Sequence, residues 1–174
     1  ELRSGVQQIF STEGAFAAVK EGGAVVTWGA EDCGGDSTGV QEELRSGVHQ
    51  TFFTERSFAA VNEGGAVVTG GDAAHGGDST GVQEELRNGV QQIFSTKRAF
   101  AAVKEGGAVV TWGGARYGGD STGVQEELRS GVQQIFFTEG AFVSVKEGGA
   151  VVTWGDADYG GDSTGVQEEL RSGV

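Results

Sequence analysis

From Val6 to Thr12 the side chains fall into two alternating sets, Val6, Gln8, Phe10 and Thr12 on one side of an extended chain and Gln7, Ile9 and Ser11 on the other. The segment returns three times along the chain. The first set never changes between its occurrences and the second set does, which predicts a strand with one packing face and one adaptable face. Two further apolar runs follow, Ala15 to Lys20 and Ala24 to Trp28, separated by Glu21-Gly22-Gly23. Paired glycines supply the positive φ that tight turns need, so this stretch reads as a β-hairpin. A last segment, Thr38 to Leu44, places Val40 and Leu44 four residues apart, a spacing that suits a helical turn as readily as an edge strand. We assign it to a short fourth strand.

The pattern repeats because the chain does. Leu2, Leu44, Leu86, Leu128 and Leu170 are spaced 42 residues apart within nearly identical text, giving units 1–42, 43–84, 85–126 and 127–168, with 169–174 opening a fifth. A period of this length marks a supersecondary unit that cannot bury its apolar face alone, so packing between copies is obligatory. The longest invariant stretch is GGDSTGVQEELR, first read from Gly34 to Arg45. Change concentrates in the four residues after the Trp-Gly position: Ala30-Glu31-Asp32-Cys33, Asp72-Ala73-Ala74-His75, Gly114-Ala115-Arg116-Tyr117 and Asp156-Ala157-Asp158-Tyr159. Such variation predicts a tolerant surface loop. No Met or targeting segment precedes Glu1, and ELRSGV stands at both ends, so the chain reads as an excerpt of a longer array.

Composition narrows the class to a turn-rich β protein: 37% hydrophobic residues are too many for a disordered tail, and 33 Gly with no Pro too glycine-punctuated for long helices. A net charge of -13 opposes binding to nucleic acid, which depends on Lys and Arg displacing counterions, and disfavours an anionic membrane. The apolar runs fall far short of the roughly 20 residues that cross a bilayer, so direct membrane insertion is not expected. Cys33 is the only cysteine, which rules out an internal disulfide and a thiol-rich metal site.

AFAAVKEGGAVVTWG, from Ala15 to Gly29, resembles the signature segment of the regulator-of-chromosome-condensation repeat: a small-apolar strand, a turn ending in Gly, an apolar strand, then Trp-Gly. FAAVNEGGAVVTGG from Phe58, FAAVKEGGAVVTWG from Phe100 and FVSVKEGGAVVTWG from Phe142 extend the likeness to every unit. The resemblance implies an all-β propeller whose units are blades of three to four antiparallel strands. Family repeats are longer, a seven-bladed ring is their norm, and their frequent His is replaced here by Ala15, Ser57, Ala99 and Ala141. Four shortened units therefore form an arc of a larger propeller or a small closed ring.

Chemistry-bearing motifs are sparse. Gly34-Gly35-Asp36-Ser37 lacks the nine-residue Gly/Asp rhythm of calcium β-rolls, and Asp36 with Ser37 suits a local side-chain-to-backbone turn. His49 and His75 stand in columns held by Gln, Cys or Tyr in other copies, and two imidazoles fall short of a zinc site. Trp28, Trp112 and Trp154 occupy the position of a blade-core landmark, with Gly70 in their place in the second unit. No catalytic residue, metal or cofactor is expected, and a small-molecule ligand is disfavoured. The sequence points to a non-catalytic protein-interaction module or scaffold, an accessory subunit of a large assembly. The resemblance also implies an alternative, the regulatory propeller of a GTPase exchange factor or ubiquitin ligase. Neighbouring blades bring equivalent loops to one face, so the candidate contact residues are Asp32, Cys33, Asp72, His75, Arg116, Tyr117, Asp158 and Tyr159, among which Tyr and Arg are favoured interface anchors.

Overall fold

A computed structural model describes residues 4–171. Each unit forms one three-stranded antiparallel sheet in chain order: β1 (Val6–Ser11), β2 (Ala15–Lys20) and β3 (Val25–Gly29); β4 (Val48–Phe53), β5 (Ser57–Asn62) and β6 (Val67–Gly71); β7 (Val90–Ser95), β8 (Ala99–Lys104) and β9 (Val109–Gly113); β10 (Val132–Phe137), β11 (Ala141–Lys146) and β12 (Val151–Gly155). The four sheets follow one another as an arc that does not close, which decides between the two expected arrangements. The hairpin turn forms as expected, with Gly22 at φ 79° and Gly23 at φ 75°.

Two expectations are corrected. Thr38 to Leu44 is not a strand: Thr38–Val40 is a 3-10 turn and the Leu44 amide donates to the Val40 carbonyl at 3.2 Å, so the four-residue spacing is helical. Leu44, Leu86 and Leu128 are thereby driven into the core. The packing face of the first strand also differs. A β-bulge between Val6 and Gln8, repeated in all four sheets, inserts one residue and reverses the alternation beyond it. Ile93 and Ile135 of the variable column turn inward, while the invariant Gln50, Gln92 and Gln134 face solvent.

The core lies between units, not within them. One cluster joins Ala17 and Val25 to Leu44, Val48 and Phe58; the next joins Ala59, Val61 and Val67 to Leu86, Val90, Phe100 and Trp112; the third joins Ala99 and Ala101 to Leu128, Val132, Phe142 and Trp154. Trp112 stacks on Phe100 at 5.2 Å, and its indole N–H donates back to the Gly76 carbonyl of the preceding unit at 3.1 Å. Trp154 repeats the arrangement with Phe142 and Gly118. Small Ala side chains in the central strands let these rings approach, which is why that run is alanine-rich. Among the described residues no helix is long and apolar enough to cross a membrane.

Candidate functional site

The residues after each Trp-Gly position form a 3-10 turn: Glu31–Cys33, Ala73–His75, Ala115–Tyr117 and Ala157–Tyr159. Each ends in a left-handed glycine, Gly34, Gly76, Gly118 or Gly160, at φ 90 to 94°. The glycine after it is demanded by space: a Cβ on Gly77 would stand 2.1 Å from the Gly71 carbonyl oxygen. The invariant Gly-Gly thus combines a backbone conformation with a close approach. Beyond it, Asp36, Asp78, Asp120 and Asp162 each accept from the Thr amide two residues on, the side-chain turn that the sequence suggests. That bond holds each carboxyl below its ordinary pKa.

The invariant threonines before the second strand lock these turns. Thr12, Thr54, Thr96 and Thr138 donate their hydroxyls to the carbonyls of Cys33, His75, Tyr117 and Tyr159 at 2.8 to 2.9 Å. The turns between first and second strands are themselves chained across units. The Glu13 amide donates to the Glu55 carbonyl at 2.8 Å, Glu55 to Lys97 at 2.9 Å and Lys97 to Glu139 at 3.0 Å. All eight turns therefore lie along one rim of the arc, with a cavity of about 550 Å³ opening among Thr12, Glu55, Lys97, Phe137 and Glu139.

The eight candidate contact residues share this rim but not its surface. Asp32, Arg116, Asp158 and Tyr159 are exposed, and Asp72 and Tyr117 are half-buried. Cys33 and His75 are buried, contrary to the expectation that the whole loop is solvent-facing. The last residue of each 3-10 turn folds back over the preceding strand-to-strand turn. Cys33 fills the space above Gly14, where a Cβ would meet its Sγ at 3.0 Å, and Tyr159 does so above Gly140 at 2.9 Å. Arg98 instead places its guanidinium 5.0 Å from the centre of the Tyr117 ring.

Ion pairs complete the rim and involve residues that sequence reasoning passed over. Arg56 reaches Glu13 at 3.4 Å, Asp32 at 3.5 Å and Asp72 at 3.8 Å, tying the first unit to the second. Glu55 faces Lys97 and Arg98, each at 3.7 Å, and Lys97 also pairs with Glu139 at 3.0 Å. Arg116 contacts Asp156 at 2.6 Å and Asp158 at 3.4 Å. The acidic neighbours raise the pKa of Arg56, Asp32 above all, and of Arg116, chiefly Asp156; Glu139 raises that of Lys97. The His75 imidazole, with Nδ1 3.2 Å from Asp72, holds that carboxyl below its ordinary range despite partial burial, and the Ala74 amide and Arg56 act in the same direction. His75 Nδ1 makes no aligned hydrogen bond there. The available signal for Arg56 and Arg98 was that the columns of Gly14 and Asp32 both depart in the second and third units and return to Gly140 and Asp158 in the fourth. Among the described residues no group of three His, Cys, Asp or Glu is placed to hold a metal.

This arrangement of sheets recurs in solved structures. Human WBSCR16 superposes with a TM-score of 0.53 at 16% identity over 86% of this chain and 47% of its own. Yeast Prp20p, whose structure was described with its binding to Gsp1p and histones, gives 0.55 at 17% over 86% and 43%. The fold is that of a regulator-of-chromosome-condensation-like propeller. The ectodomain of the Arabidopsis thaliana receptor kinase ACR4 shares it, with a TM-score of 0.52 at 14% identity over 87% of this chain and 51% of its own. The chain spans about half the length of these propellers or less. No protein-family profile and no curated protein sequence matches it.

Proposed function

We propose that the chain is a non-catalytic protein-interaction module whose contact face is the rim of post-tryptophan turns, and that its partner presents a basic segment. The observation that carries this reading is the rim itself. Four units' turns are chained by backbone hydrogen bonds into one surface, on which exposed side chains differ from unit to unit while the scaffold beneath does not. A surface of fixed geometry and varied chemistry suits recognition of an irregular partner, and its rigidity lowers the ordering cost of binding.

Charge decides the partner's sign. Glu13, Glu31, Asp32, Asp72, Glu139, Asp156 and Asp158 outnumber Arg56, Lys97, Arg98 and Arg116 on the rim, within a chain of net charge -13. Opposite charge on the partner would accelerate encounter and fix register. Prp20p, which shares the fold, binds histones, and these are basic proteins. Arg116, Tyr159, Asp32 and Asp158 touch the partner in this reading, and Cys33, His75 and Tyr117 set the shape beneath them. Outer-strand addition through Gln41 to Arg45 is not available, since that stretch is a helical turn.

Binding of a fluorescent Lys/Arg-rich peptide, followed by anisotropy, tests the reading. Replacing Asp32, Glu139 and Asp158 together by Asn, Gln and Asn should weaken binding on the order of tenfold and flatten its salt dependence. Unchanged affinity in that variant sinks the rim as the contact face.

A further inference from the structure

The residue that ends the second strand is a lysine in three units, Lys20, Lys104 and Lys146, and Asn62 in the second. The lysine arm has a fixed berth. A Cβ on Gly89 would stand 3.7 Å from Lys104 Cε, one on Gly131 3.8 Å from Lys146 Cε and one on Gly5 3.9 Å from Lys20 Cε, so each arm lies across the glycine that precedes its unit's first strand. The ammonium groups of Lys104 and Lys146 donate to the carbonyls of Glu85 and Glu127. Lysines near the end of a helical turn commonly satisfy its last carbonyls in this way. Asn62 does neither. Its Oδ1 accepts from the amides of Gly64 and Ala66, each at 3.0 Å, and so closes its own hairpin. A Cβ on Gly47 would meet nothing within 4 Å, although Gly47 keeps φ at 75° as Gly131 does. Among the described residues nothing donates to the Glu43 carbonyl, the equivalent of those of Glu85 and Glu127. A cavity of about 320 Å³, lined by Val40, Glu43, Asn62, Val68 and Asp78 among others, adjoins this carbonyl. Arg87 also borders it, but is paired with Glu84 at 2.7 Å.

We propose that the second unit binds a primary ammonium carried on a straight alkyl chain, which lies across Gly47 and donates to the Glu43 carbonyl as Lys104 and Lys146 do in their own units. The protein itself supplies the template for this ligand: the same backbone, one unit further on, closes around a lysine arm. The chemistry of the site agrees. A carbonyl oxygen accepts from a cation and repels a carboxylate, and its hydrogen bond to an ionised donor is stronger than one to a neutral group. In the first unit Glu21 Oε2 would stand 4.0 Å from a Cβ on Gly5; the second unit keeps that glutamate as Glu63, within a chain of net charge -13. Two sources share this chemistry, a lysine side chain of a partner protein and a free alkylamine. The site stands at the hairpin end of the blade, opposite the rim of post-tryptophan turns, and does not rest on the rim as the contact face.

Amide NMR of the 174-residue chain, titrated near neutral pH with n-butylamine and separately with Nα-acetyl-lysine methylamide, both protonated there, reads each berth by itself. The amides of Gly47 and Glu63 should shift saturably, with a dissociation constant on the order of millimolar, while those of Gly89 and Gly131, under the protein's own lysines, move several-fold less. Butanol, of the same length without the charge, should leave Gly47 in place. Asn62→Lys should abolish the response at Gly47 by filling the berth from within. Lys104→Asn should create a response at Gly89, a gain that misfolding does not imitate. Tighter binding of the lysine derivative assigns the site to a partner's lysine, and tighter binding of butylamine assigns it to a free amine. Equal shifts at the three glycines, a response to butanol, or an Asn62→Lys variant that still responds at Gly47 would overturn the proposal.

Discussion

Gly70 is the one place where a unit lacks its indole, and the structure shows how the gap is filled. A Cβ there would meet the far edge of the Phe58 ring at 2.6 Å, so Phe58 leans over the glycine. Phe53 does not take part; it stacks on Phe10 of the preceding unit. Gly70→Trp is expected to raise the melting temperature, by roughly 1 kcal/mol of stability, if Phe58 returns to the stacked position of Phe100 and the indole donates to Gly34. A lower melting temperature shows that the ring cannot swing back. Thr54 offers a second test, since its buried hydroxyl is donated to the His75 carbonyl. Thr54→Val should cost about 1 to 2 kcal/mol in urea unfolding. Asp72 gives a pH signature. Its pKa is depressed in the folded state, so its contribution is present above the ordinary carboxylate range near 4 and is lost as pH falls through the folded value. The stability gap between wild type and Asp72→Asn should therefore narrow on acidification.

At the scale of elements, the hairpin and three strands of each unit were legible, because β-branched runs and a Gly-Gly turn leave little alternative. Two local errors share one cause: periodicity reports neighbours along the chain, whereas the outcome was settled across the sheet. The bulge after Val6 reversed a strand face, and the Val40–Leu44 spacing resolved as helix because Leu44 seals the junction below Val25. The post-tryptophan turns were legible as the variable part. That Cys33 and His75 are buried was not, since the residues over which they fold lie about twenty positions earlier in the chain, at the first strand-to-strand turn. The double glycine makes a sharp prediction here. Gly77→Ala forces a Cβ against the Gly71 carbonyl and should cost more than about 2 kcal/mol in thermal unfolding, whereas Gly81→Ala, with nothing within 4 Å and no positive φ, should be near neutral.

For the whole molecule, stability resides in junctions. A unit cut out at residues 43–84 keeps its sheet hydrogen bonds but loses both partners of its apolar faces, and it should show no cooperative transition by circular dichroism. Adding units should raise stability stepwise as each junction forms. The junctions are not equal, because the first joins Val25, Leu44, Val48 and Phe58 without an indole, while the second and third each bury a stacked Phe–Trp pair with a hydrogen bond back to glycine. The first unit is also the one whose outer face, at Phe16 and Ile9, is uncovered. Opening should therefore begin there. Native-state hydrogen exchange is expected to show the amides of β2 and β3 opening at lower free energy than those of β8 and β9, which sit between two covered junctions. Equal protection of β2 and β8 in the single chain would contradict the account in which junctions carry the stability.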